Sequence, residues 1–186
     1  MALVNVSLFA LHTGEINLND KDLEVSARFD IGQFNDNVVP NTTFIGAKFL
    51  NAHEDNSGNK NVTLDPYAEV NFLMMRSIGE KGVSIGMGAK LNYTKDYSAL
   101  PLGVEFAYKM PFDTLIPMYL NGSVYYAPQV LSFIQAKHYL EYRISYDFEL
   151  IENGKITVGY RAMDTDYDTY NFSYNSSIYF GFKISF

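Results

Sequence analysis

Strict alternation of apolar and polar residues is the feature that most constrains this chain. From Val83 to Thr94, every odd position is apolar: Val83, Ile85, Met87, Ala89, Leu91 and Tyr93. Every even position is small or polar: Ser84, Gly86, Gly88, Lys90, Asn92 and Thr94. Successive side chains of a strand point to opposite faces, so this segment has one apolar and one polar face. The split recurs over Leu100–Met110, Leu140–Phe148, Ile156–Met163, Leu23–Asp30 and Ile178–Phe186. It is noisier over Thr43–Phe49, Ala68–Met74 and Ile116–Tyr126, and weaker over Val4–Ala10. Period two on this scale predicts strands and excludes helices of useful length. Ten strands are expected, near 3–11, 22–31, 42–51, 62–75, 83–94, 99–110, 115–126, 136–148, 154–164 and 170–186, with eight as the alternative. Polar, turn-rich connections such as Glu152-Asn153-Gly154 predict hairpins and an up-and-down antiparallel meander. No linker divides the chain, so residues 1–186 form one domain.

Two stretches bear on targeting and membrane spanning. Met1 to Gly14 lacks the basic start of a signal peptide, and reads as a mature chain with an added Met1. Thr114 to Ala136 is uncharged, but Pro117, Asn121, Gly122, Pro128 and Gln129 rule out a spanning helix.

Which face is wet separates a soluble barrel from a membrane barrel. The apolar face is nearly uncontaminated on strand after strand. The polar face is rich in small residues, among them Gly86, Gly88, Gly103, Ser123, Ser145, Gly159 and Gly181. Solvent-facing strand positions favour larger β-formers, whereas small residues among charges suit a crowded interior. Tyr93, Tyr108, Tyr126 and Tyr146 sit near the ends of apolar stripes, as aromatic girdles do in outer-membrane barrels. The polar face carries Glu24, Asp30, Asp65, Glu69, Glu105, Glu141 and Asp147 against Arg28, Lys48, Lys90, Lys109, Lys137, Arg143, Arg161 and Lys183. That near-balance is what an enclosed lumen of paired charges requires. The expected lumen network centres on Arg28, Glu69, Lys90, Glu105, Lys109, Glu141, Arg143, Arg161 and Lys183. A barrel of ten strands is narrow and fills with side chains, so a largely plugged lumen is expected.

The chain closes on Phe180, Phe182, Ile184 and Phe186 with Tyr179 and Gly181 between them. Tyr179, Gly181, Ile184 and Phe186 resemble the terminal-strand signal of bacterial outer-membrane barrels. That resemblance implies recognition by the barrel-assembly machinery. A longer stretch resembles the YfaZ-like outer-membrane family: Tyr125-Tyr126-Ala127-Pro128, the strand with Tyr139, Glu141 and Arg143, Val158-Gly159-Tyr160-Arg161, the strand Val83–Tyr93 and the terminal Tyr179–Phe186. The resemblance starts near Thr43, and the first two strands match poorly. It implies a small outer-membrane barrel with no assigned catalytic residue.

Chemistry is sparse. The acidic balance, 21 acids against 14 bases for a net −7, makes nucleic acid a poor partner. The absence of cysteine excludes thiolate metal sites and cysteine nucleophiles. The histidines are His12, His53 and His138. His53 stands among Glu54, Asp55 and Ser57, and a loop partner among Asp164, Asp166 and Asp168 would make only a compositional likeness to an Asp-His protease. The three aspartates alternate but lack the glycine and distal glutamate of an EF-hand. No metal site and no cofactor are expected. Pro128, Val130, Leu131, Phe133 and Ile134 form an apolar run within a loop, a candidate interaction or solute site.

The expectation is a monomeric outer-membrane barrel, surrounded by lipid, that is not an enzyme and has a structural or surface-interaction role. The alternative is a small channel for small or apolar solutes. An outer-membrane lipid-modifying enzyme or protease ranks last.

Overall fold

The computed structural model describes residues 12–52, 65–79, 82–112, 115–134, 136–167 and 171–186. Twelve strands run in chain order: β1 Thr13–Leu18, β2 Asp22–Asp30, β3 Thr43–Ala52, β4 Tyr67–Ile78, β5 Val83–Tyr93, β6 Tyr97–Ala99, β7 Leu102–Lys109, β8 Met118–Ala127, β9 Ser132–Ile134, β10 Ala136–Ile151, β11 Gly154–Tyr167 and β12 Asn171–Ser185. Two short 3₁₀ turns, Ile31–Gln33 and Gln129–Leu131, complete the described regular structure.

Ten of these strands form a closed antiparallel barrel in the order β1-β2-β3-β4-β5-β7-β8-β10-β11-β12. Closure is between β1 and β12, from Thr13 opposite Ser185 to Leu18 opposite Phe180. Strands β6 and β9 stand outside this ring. They pair with each other, and β6 also pairs with the end of β5. The end of the barrel where Thr13 meets Ser185 is here the base. The opposite end, which carries β6 and β9, is the crown.

The facing follows the alternation. Ile16, Val25, Phe49, Val70, Met74, Met87, Leu91, Val104, Val124, Ile144, Ile156, Phe180 and Phe182 are all exposed on the outer wall. Glu24, Lys48, Glu69, Lys90, Glu141, Asp147 and Arg161 are buried inside it. A soluble barrel has the opposite arrangement. This one is a membrane barrel: an apolar belt faces lipid and the polar face lines the lumen. Tyr93 and Tyr126 stand near the crown ends of β5 and β8 and Tyr108 near the base end of β7, with Tyr146 of β10 level with Tyr108 on either side of Leu120.

The glycines of the polar face have a packing reason. A Cβ on Gly103 would lie 2.6 Å from ring atoms of Tyr125, and one on Gly159 would lie 2.5 Å from Tyr179. In each case the glycine is directly opposite its tyrosine across two strands. The bare backbone gives the large ring a place to lie in a narrow barrel.

The count of ten agrees with the sequence, but the first strand differs. It is Thr13–Leu18, where the alternation predicts a connection, while the strand expected at 3–11 lies outside the described residues. Only Gly14, Ile16 and Leu18 mark its outer face, too short a stripe to outweigh Asn17 and Asn19. Its pairing with both β2 and β12 supplies what its own pattern lacks. The span expected at 99–110 divides at Pro101 into β6 and β7. Proline has no amide hydrogen for a ladder.

Met87 is 73% exposed at the middle of β5. Met87→Arg is expected to destabilise the barrel by about 2–4 kcal/mol if it meets the bilayer midplane. Denaturant titration of protein refolded into lipid vesicles measures this, and wild-type stability would contradict the facing.

Candidate functional site

The lumen is built in three levels. At the crown, Leu50, Ala52, Tyr67, Tyr97, Ala99, Ala127, Tyr139, Met163 and Tyr174 pack as one buried cluster, with Leu131 partly buried against it. Tyr97 and Ala99 come from β6, so the extra-barrel pair folds over the opening as a lid. The Leu131 carbonyl accepts the Leu100 amide at 2.8 Å and ties the two connections together. The tyrosine rings lie edge to face or tilted: Tyr97–Tyr139 at 5.8 Å, Tyr67–Tyr174 at 5.9 Å and Tyr97–Tyr174 at 6.4 Å between centroids.

Below the tyrosines lies a layer of ion pairs that crosses the lumen. Lys48 of β3 reaches Glu141 of β10 at 2.9 Å and Glu69 of β4 at 3.0 Å. Lys90 of β5 reaches Glu141 at 2.9 Å and Glu69 at 3.5 Å. Two acids and two bases thus alternate around one point. The tyrosines above cap the same acids: Tyr67 Oη donates to Glu69 at 2.7 Å and Tyr139 Oη donates to Glu141 at 3.0 Å. On the neighbouring wall, Glu24 of β2 accepts at one oxygen, Oε2, from both Arg161 and Arg143, each at 2.6 Å, and Arg143 also reaches its Oε1. Asp22 accepts from Asn175 at 2.6 Å, Ser177 at 3.1 Å and Arg161 at 3.4 Å. Burying these charges singly would be costly; sharing Glu24, Glu69 and Glu141 each between two bases, and Asp22 between Arg161 and two neutral donors, offsets the lost hydration.

The third level is hollow. A cavity of about 500 Å³ runs from the Lys48–Glu141 layer to the base. Its walls carry small polar residues such as Ser26, Asn121, Ser123 and Ser145. Arg28 holds Glu105 across it with two contacts at 3.2 Å, and Tyr125 Oη also donates to Glu105 at 2.8 Å. Lys183 holds Asp147 at 2.8 Å and Glu15 at 3.5 Å.

Of the expected network, Arg28, Glu69, Lys90, Glu105, Glu141, Arg143, Arg161 and Lys183 all face the lumen in ion pairs. Lys109 faces it too, but its ammonium lies 5.9 Å from the Tyr119 ring centre rather than against a carboxylate. The sequence reading missed Glu15, Asp22, Glu149 and Lys155 as lumen residues. Glu15 lay in the unrecognised β1. Glu149 and Lys155 belong to β10 and β11, whose hairpin extends the sheet to the Glu152-Asn153 turn.

Of the terminal signal, Tyr179 and Gly181 face the lumen, and Ile184 and Phe186 face outward. Tyr179 packs under both Arg143 and Arg161, at 5.1 and 5.6 Å from their guanidinium carbons. The loop run 128–134 is the lid's outer half. Leu131 turns inward, while Val130, Phe133 and Ile134 are exposed.

His12 is enclosed by Phe29, Phe34 and Phe186, and its Nδ1 accepts the Asp30 amide at 3.2 Å. His138 stacks on Tyr126 and meets its hydroxyl at 3.0 Å. His53 with its neighbours Glu54, Asp55 and Ser57, and also Asp168, lie outside the described residues. Asp164 and Asp166 stand opposite Leu140 and His138 on β10. Among the described residues no three metal-ligating side chains gather at one point.

A closed barrel with a lipid-facing apolar belt and a charged lumen defines the class: an integral β-barrel membrane protein. The family profile described as YfaZ precursor matches residues 41–186, and the chain belongs to that family. The match begins just before β3, near where the sequence resemblance starts. Among solved structures, a KdgM porin aligns over 94% of this chain and 98% of its own, at 11% identity and a TM-score of 0.47. No curated protein matches the chain.

Glu141→Gln leaves Lys48 and Lys90 to share one carboxylate inside the barrel. A cost of about 3–5 kcal/mol is expected. Glu152→Gln, in the exposed turn, is expected to change stability by less than about 0.5 kcal/mol. Equal effects of the two in denaturant titrations would show that the ion-pair layer contributes nothing specific.

Proposed function

We propose that this protein is a monomeric outer-membrane barrel, surrounded by lipid, that does not conduct at rest and acts in a structural or surface-interaction role rather than as an enzyme. One observation supports the reading: the crown tyrosines pack as one buried cluster, and beneath them Lys48, Glu69, Lys90 and Glu141 form ion pairs from β3, β4 and β5 to β10. The terminal strand, with Tyr179, Gly181, Ile184 and Phe186 in place, suits recognition by the barrel-assembly machinery.

A second reading, a small channel, draws support from the cavity at the base. Half of a conduit is already hollow, and the lid over the other half is two short strands. Ile134, at the lid's end, has a φ of 68°, a backbone state that β-branched residues adopt at a cost. Movement of that lid would bring solutes to the exposed Val130, Phe133 and Ile134.

Single-channel recording in a planar bilayer separates the two. Folded, inserted wild-type protein is expected to be silent. Tyr97→Gly with Tyr139→Gly and Glu141→Gln, which thins the crown and weakens the ion-pair layer, is expected to produce discrete openings if the variant inserts. Steady openings of the wild type would overturn the first reading and establish the second.

A further inference from the structure

The hollow base of the lumen holds two cations that the ion-pair network leaves out. Arg28, Lys48, Lys90, Arg143, Arg161 and Lys183 each hold a carboxylate oxygen at 3.2 Å or less. Among the described residues, Lys109 and Lys155 hold none. Both instead converge on one ring: the Lys155 ammonium lies 3.9 Å from the centre of Tyr119, and that of Lys109 lies 5.9 Å from it.

The nearest acids, Glu149 and Asp147, accept hydrogen bonds from other groups and hold neither ammonium within 4.0 Å. Glu149 accepts the Tyr119 hydroxyl at 2.7 Å. Asp147 accepts from Lys183 and Thr157 at 2.8 Å and from Asn121 at 3.0 Å. The strands place the pair deliberately: Lys109 ends β7 directly opposite Tyr119 on β8, and Lys155 begins β11 directly opposite Glu149 on β10. Both line the cavity of about 500 Å³ at its open end. Two ammonium groups drawn to one aromatic ring repel one another, and an anion held between them would relieve that repulsion.

We propose that Lys109 and Lys155, with Tyr119 between them, form a phosphate-binding site at the base of the lumen. A phosphate group carries enough negative charge to neutralise both lysines, which act as point-charge donors. Asn153 and Ser185, on the same cavity wall, add neutral donors. The phosphate can come from a free anion or from a lipid headgroup reaching the rim, and the site recognises the chemistry they share. The site goes beyond the proposed role, because it needs only the lumen and stands whether or not the crown conducts.

The test uses the whole chain refolded in a phosphate-free detergent. Isothermal titration with inorganic phosphate reads the free anion. Native mass spectrometry of protein extracted from phosphatidylglycerol–phosphatidylethanolamine vesicles reads bound lipid. Three variants are compared: Lys109→Gln, Lys155→Gln and the double variant. Lys95→Gln, at the opposite end of the barrel, is the control, and heat-modifiable migration on gels confirms folding. Saturable phosphate binding that the double variant weakens at least tenfold, with Lys95→Gln unchanged, establishes the site with a soluble ligand. Lipid adducts that only the double variant loses, without free-phosphate binding, establish it with a headgroup. Absence of both signals in the wild type overturns the proposal, as does binding that the folded double variant retains or that Lys95→Gln weakens equally.

Discussion

The rest of the structure depends on the neutralisation of charge across the lumen. Nearly every strand of this barrel sends a charged or amide side chain inward, where hydration is restricted. Lys48 and Glu141 come from walls that meet only across the interior, as do Arg28 with Glu105 and Arg143 with Glu24. Those contacts fix which strands face one another and hold the wall at a set width. Remove the pairing, and the polar face would favour opening to water, which a membrane does not offer.

The backbone imposes the complementary condition. Inside hydrocarbon, each strand needs a hydrogen-bonded neighbour on both sides, and only a closed ring provides that. The short β1 supplies the last pairing, against β12 on one side and β2 on the other. His12 reinforces the same seam, exchanging backbone hydrogen bonds with Phe186 at 3.1 and 2.9 Å. The terminal residues that resemble an assembly signal are therefore also those that close the wall. The interior has its own asymmetry. Tyrosines fill the crown half, and serines and asparagines leave the base half hollow, although both halves have strands of similar length.

The facing, the strand count and most of the lumen charges were legible in the sequence, because parity is a local property. Eleven consecutive residues of β5 suffice to tell lipid side from lumen side. The features that escaped depend on distant partners. β1 carries too few apolar residues to stand out, and is a strand because β2 and β12 flank it. Nothing local marks Tyr97 as a lid residue or Leu131 as an inward anchor; their burial depends on β6 and β9 meeting over the crown. Tyr174 was likewise hidden, since its place in the crown follows from a register shift near Met163. That Lys109 meets Tyr119 rather than a carboxylate among the described residues was also unreadable, because that choice is made by strand register.

The central claim is the inverted facing, with lipid outside and paired charge within. The absence of native cysteine makes single-site spin labelling direct. Labels placed one at a time from 119 to 126 along β8, in protein reconstituted into vesicles, would be probed by collision with oxygen and with a water-soluble nickel chelate. The account predicts period-two alternation, with oxygen access highest at Leu120, Gly122, Val124 and Tyr126, and low oxygen access at Asn121 and Ser123 between them. Alternation in the opposite phase, or uniform access of the nickel chelate at every position, would contradict it.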